Sequence, residues 1–198
     1  MFVTFEGVDG SGKSTQAALL VEALRAEGRE VVATREPGGT ELGERIRGLL
    51  LGDAGIAPWA EAALFAGARA QLVEEIVRPA LTRGADVVCD RFLDSSLAYQ
   101  GIARGLGVEA VLELNQLALG GLLPDRTFLL VVPVEEAIGR STDRPDRIER
   151  EGLAFLERVD RAYRELAERF PERIVTLDGT GRPEKVAQQV REELRALA

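Results

Sequence analysis

A chain of 198 residues that is 45% hydrophobic can bury a core of its own, and a single domain spanning 1–198 is the expectation. A net charge of −8 argues against a surface built to grip a nucleic-acid backbone, so no nucleic-acid partner is expected. With one cysteine, Cys89, and no histidine, an internal disulfide, a Cys/His zinc site and a Ser–His–Asp triad are excluded.

In chain order the pattern predicts a strand at 2–5, a helix at 13–27, a strand at 30–34 and helices at 42–50 and 58–82. A strand at 86–89, a helix at 108–119, a strand at 127–132 and helices at 134–141 and 150–170 follow. A strand at 173–177 and a helix at 183–198 complete the chain. Strands alternating with helices imply crossover units. The fold class is therefore α/β, a three-layer α/β/α sandwich around a five-stranded parallel sheet. In the helix at 150–170, Leu153, Leu156, Val159, Tyr163, Leu166 and Phe170 recur at three- and four-residue steps, forming one apolar stripe. Pro58 and Pro183 suit first-turn positions. No basic stretch precedes an apolar run at the N-terminus, and no segment is apolar over a membrane span. A soluble, cytoplasmic protein without membrane contact is expected.

Gly7-Val8-Asp9-Gly10-Ser11-Gly12-Lys13-Ser14 fits G-x-x-x-x-G-K-[ST], between a predicted strand and a predicted helix. Glycines let backbone N–H groups turn inward around a phosphate, and the helix N-terminus adds partial positive charge there. Gly7, Val8, Asp9, Gly10, Ser11, Gly12, Lys13, Ser14 and Thr15 are thus the expected cradle for the phosphates of ATP. Lys13 places a compact charge on the terminal phosphates, and the Ser14 hydroxyl is a hard ligand for Mg²⁺. Asp90 ends the apolar run Val87-Val88-Cys89. Alone it reads as a helix cap or turn residue; beside a phosphate loop it reads as the acid on the Mg²⁺ side. No Asn-Lys-x-Asp base-reading motif of the GTPase kind is present.

Further motifs stand in register with this loop. Phe5–Thr15 resembles the opening of thymidylate kinases, the P-loop enzymes that phosphorylate dTMP to dTDP. Thr34-Arg35-Glu36-Pro37-Gly38-Gly39-Thr40 is similar to the family's bacterial signature after the second strand. The stretch from Phe65 through Arg69 to Leu72 resembles its base-binding helix. Asp90-Arg91-Phe92 with Ser95, Ser96, Tyr99 and Gln100 looks like its D-R-[YFH] motif and substrate loop. Asp146-Arg147-Ile148-Glu149 matches its D-R-I-E motif. Two departures stand out: Val131-Val132-Pro133 lacks an Asp that many relatives carry before the proline, and Ala66 and Gly67 are small, which implies a roomier base pocket.

The resemblance implies a P-loop kinase fold, a homodimer, and a catalytic set of Lys13, Arg91, Arg144 and Arg147. A lid at about 140–150 would bring the last two over ATP. On pattern alone, the lesser reading of that segment is a solvated loop of mixed charges. Phe65 would stack on thymine and Arg69 would donate to a thymine carbonyl, where cytosine presents a donor. Without the family, Phe65 reads as core and Arg69 as a solvated or salt-bridged arginine. Arg35 and Arg91 would grip the acceptor phosphate, with Asp9 facing the acceptor because a carboxylate would repel the triphosphate. Ser95 and Ser96 would bond the base edge, Tyr99 would pack beside the sugar 2′ position, and Gln100 and Pro37 would complete the acceptor site. A cis Glu36–Pro37 bond is one way to shape that turn. The implied reaction is ATP + dTMP → ADP + dTDP with Mg²⁺. The alternatives are a kinase for another nucleoside monophosphate and a nucleotide-gated switch.

Overall fold

The computed structural model describes residues 1–53, 55–140 and 146–196. Five strands alternate with helices. Strand β1 (Phe2–Glu6) leads through a loop into α1 (Lys13–Ala26), then β2 (Val31–Arg35), α2 (Glu41–Leu51) and α3 (Pro58–Leu72). A π-helical stretch, Val73–Val77, joins α3 to α4 (Arg78–Thr82) and so to β3 (Asp86–Asp90). After α5 (Leu93–Ser96) the chain widens into a second π-helical stretch, Leu97–Ala103, before α6 (Val108–Leu119). Then come β4 (Arg126–Val131), α7 (Val134–Arg140), a 3₁₀ turn at Glu149–Glu151, α8 (Leu153–Arg169), β5 (Ile174–Asp178) and α9 (Pro183–Arg195).

The sheet order is β2-β3-β1-β4-β5, and every pairing is parallel, as the alternation of elements predicted. Alternation along β1 shows why both faces are covered. Val3 and Phe5 point into a cluster with Leu20 and Leu24 of α1 and Val186 and Val190 of α9. Phe2 points the other way, into a cluster with Val87 of β3 and the α8 residues Leu156, Val159 and Leu166. Each such fully buried side chain contributes about 2 kcal/mol of transfer free energy. Pro58 and Pro183 occupy first-turn positions of α3 and α9, and the Thr40 hydroxyl caps α2 by accepting from Gly43 N at 3.0 Å.

Some expectations change. The segment after Asp90-Arg91-Phe92, expected as a loop, is helical from Leu93 to Ala103. The helix expected at 150–170 begins at Leu153, because Gly152 takes φ 88. Its buried face includes Phe155 and Ala162, whereas Leu153 lies 42% exposed. Within the expected lid, residues 141–145, Arg144 among them, lie outside the described residues.

Candidate active site

Strand order reverses at β1: the chain runs outward to β2 on one side and later to β4 on the other. In open parallel sheets a ligand crevice forms outside the carboxyl ends of the strands at this point. A cleft of about 870 Å³ lies there, bordered by the loop after β1 and by the ends of β2 and β3.

The glycines of the loop are needed for close approach. A Cβ on Gly7 would sit 2.5 Å from the Leu130 carbonyl oxygen, and one on Gly10 only 1.9 Å from that of Ala137. Helix α1 starts at Gly12 with no side-chain cap and no acidic residue in its first turn. Its leading N–H groups are thus left for an anion. Asp9 to Thr15 line the cleft. Gly7 and Val8, expected with them, lie behind its wall, and the Val8 side chain is buried in the core.

Lys13 is buried, donates to Val8 O at 2.9 Å and stands 3.3 Å from Asp9. Burial and the nearby Arg91 lower its pKa. Across the cleft Arg91 donates to Asp9 at 2.6 Å through Nη2, and to the Ser95 and Tyr163 hydroxyls at 3.1 Å through Nη1. Burial by itself would raise the Asp9 carboxyl, but Arg91 and Lys13 hold it well below the ordinary carboxylate range. Arg91 has φ 68, an uncommon backbone state for a residue with a Cβ. Its guanidinium lies 5.4 Å from the Tyr99 ring centroid, and the buried Tyr99 hydroxyl has no partner among the described residues.

Ser14 Oγ donates to Asp90 at 2.5 Å. The other Asp90 oxygen is buried without a partner among the described residues. Hard oxygen donors with spare capacity fit Mg²⁺. Among the described residues no cluster of three or more His, Cys, Asp or Glu exists that could hold a metal. Water and nucleotide phosphates would therefore complete the shell.

Arg35, Pro37, Phe65, Ser95, Ser96, Tyr99 and Gln100 all border the cleft. The Glu36–Pro37 peptide is cis. Arg35 is exposed and pairs with Glu44 at 3.2 Å. Ser95 departs from its expected part: its hydroxyl bonds Glu6 at 2.6 Å rather than standing free for a base. Gln100 donates to Glu61 at 2.8 Å.

Arg69 is the larger correction. It is 0% exposed and absent from the cleft wall. Its Nε and Nη2 bond Glu36 at 2.8 and 2.5 Å, Nη2 also bonds Phe92 O at 3.0 Å, and Nη1 bonds Ser96 at 3.0 Å and Asn115. All five guanidinium N–H groups are engaged, so no donor is spare for a thymine carbonyl. Arg69 instead holds Glu36 and Ser96, which do form the wall.

Arg147 also lies elsewhere. It donates to Leu50 O at 2.8 Å and to Glu61 at 2.6 Å, because the buried Glu61 carboxylate draws both Arg147 and Arg104. The described arginine of that region on the cleft is Arg140, which donates to Gly179 O at 3.0 Å. Gly67 is exposed with open space around it, so it does not widen the pocket. Sequence reasoning missed Glu6, Glu61, Arg47, Asn115 and the hydroxyl of Tyr163. Each acts through partners more than 30 residues away, except Arg47, which donates to Pro37 O at 2.9 Å.

A phosphate loop that shares one cleft with Arg91 and Arg35, on this sheet order, defines a P-loop nucleotide kinase. Comparison with known proteins narrows the class. A family model described as thymidylate kinase matches residues 5–190. A thymidylate kinase of Kosmotoga olearia is 48% identical over 98% of this chain and 94% of its own length. One of Desulforudis audaxviator is 53% identical over 86% and 79%. The crystal structure of thymidylate kinase from Ehrlichia chaffeensis superposes with a TM-score of 0.81 at 36% identity, covering 98% of both chains. The chain belongs to the thymidylate kinase family. Among the described residues no helix is long and apolar enough to cross a membrane.

Proposed function

We propose that the chain transfers the terminal phosphoryl group of ATP to dTMP, giving ADP and dTDP. The observation that carries this reading is the Asp9–Arg91 pair at 2.6 Å, which joins the phosphate loop to the acceptor wall with Phe65 in the same cleft. The α1 N-terminus and Lys13 take the donor phosphates. Arg91 and Arg35 take the acceptor phosphate, whose oxygen is already anionic near neutral pH, so no general base is needed. That suits a chain without histidine. Catalysis is then alignment and charge stabilisation of an in-line transfer. Ser14 and Asp90 would hold Mg²⁺, which when bound neutralises charge on the donor's phosphate oxygens.

Phe65 stacks the base, and Gln100, locked by Glu61, presents its amide at the base edge. The Tyr99 ring packs beside the sugar. Arg69 acts from behind the wall, fixing Ser96. Self-association as a homodimer has support in exposed apolar side chains: Leu42 and Leu49 on α2, Trp59 on α3 and Leu117 on α6.

The test is ADP release with ATP and Mg²⁺, offering dTMP, dUMP, dCMP, dGMP, UMP and AMP in parallel. We expect dTMP to lead by at least tenfold. Another leading monophosphate would overturn the base-site reading. No stimulation by any acceptor would overturn the kinase reading itself.

A further inference from the structure

Glu6, the last residue of β1, is completely buried and lies outside every motif role assigned above. Four donors converge on its carboxylate. Oε1 accepts from Phe92 N at 2.8 Å and Ser95 N at 3.2 Å. Oε2 accepts from Ser95 Oγ at 2.6 Å and Tyr163 Oη at 2.8 Å. The first pair satisfies open N–H groups where the helical stretch from Leu93 begins, the stretch that carries Ser95, Ser96, Tyr99 and Gln100.

The second pair sets the direction of two protons. A hydroxyl has one proton; the two oxygens also stand 2.9 Å from each other, but the charged Oε2 is a stronger acceptor than a neighbouring hydroxyl, so both protons go to Glu6. The lone pairs of both oxygens are then left to accept, and both accept from Arg91 Nη1 at 3.1 Å. Nη2 of the same guanidinium goes to Asp9. We infer that Glu6 is a positioning residue: it orients two hydroxyls so that they hold the Arg91 fork in the attitude that grips the acceptor phosphate.

An amide in place of the carboxylate keeps the size and still offers one oxygen to the helix start. Its NH₂ would donate to the hydroxyls and turn their protons toward Arg91, where donors would meet donors. The inference rests on reading the cleft as a dTMP site, and its test separates the two. Binding of dTMP is measured by calorimetry for the wild type, Glu6→Gln, Arg91→Ala and the double variant. Glu6→Gln is expected to weaken binding on the order of tenfold in the wild type. In the Arg91→Ala background it should add less than about twofold, because its action passes through Arg91. The same loss in both backgrounds would overturn the role of Glu6 and leave the dTMP site standing. A wild type that does not bind dTMP would overturn the site reading and this inference with it. Should Glu6→Gln fail to fold, Tyr163→Phe serves in the same cycle, since it keeps the ring and removes one oxygen under Nη1. Its expected loss of about threefold should likewise vanish beside Arg91→Ala, and a loss that persists there overturns the inference.

Discussion

Arg91 combines a left-handed backbone with a side chain held at three points, and the two features belong together. A non-glycine residue in that region costs about 1–2 kcal/mol. The bonds to Asp9, Ser95 and Tyr163, with Arg91 N donating to Phe5 O at 2.9 Å, offset it. Replacing Arg91 with Ala should lower kcat/KM for dTMP on the order of 10²–10³-fold in steady-state assays. Lysine should rescue little, because a point charge cannot reach all three partners. Glu36 offers a pH test. Burial, outweighing the adjacent Arg69, raises its carboxyl from 4.5 to about 7. The native state then binds a proton that the unfolded chain has released, so this group's contribution to stability falls as pH rises from 4.5 to about 7. Chemical denaturation should show the wild type losing ground to Glu36→Gln across that window, with a flat difference above it. At this scale the sequence was legible where a residue acts through its neighbours in the chain, as Lys13 does through Val8 and Asp9. Glu6 was silent, because its partner Tyr163 is 157 positions away. Tyr163 itself read only as part of an apolar stripe.

Among the elements, the turn from β1 into α1 tolerates least change. At Gly10 a methyl group would drive into the carbonyl of Ala137, with φ at +81 adding strain. Gly10→Ala is expected to weaken ATP binding by at least about tenfold in a nucleotide titration. Gly105→Ala is the control: φ there is +76 but the space is open. It should cost about 1 kcal/mol of stability and leave ATP affinity unchanged. The parallel strands were readable as short apolar runs, and α6 was readable to the residue. The stretch Leu93–Ala103 was not, for a physical reason. Its start is capped by a carboxylate from β1 rather than by its own sequence, and Ser95, Ser96 and Gly101 locally favour a turn. The widening at Val73–Val77 likewise left no mark on the periodicity of a helix expected to run unbroken from 58 to 82.

For the molecule as a whole, placing β1 at the centre of the sheet puts both substrate grips on one rim. Helices α2, α3 and α6 are left to present Leu49 at 56% exposure, Trp59 at 50% and Leu117 at 89%. If that face joins two copies, Trp59→Glu should convert a dimer to a monomer in sedimentation velocity at micromolar concentration. A wild type that sediments as a monomer would reject the dimer. Trp59 is also the single tryptophan of the chain. The protein therefore carries one indole fluorophore on its surface, remote from the core clusters. Its emission should shift to the blue and gain intensity on dilution's reverse, as copies meet and water leaves the ring. Thermal unfolding, by contrast, alters the surroundings of that ring far less than those of the core, and is better followed by circular dichroism.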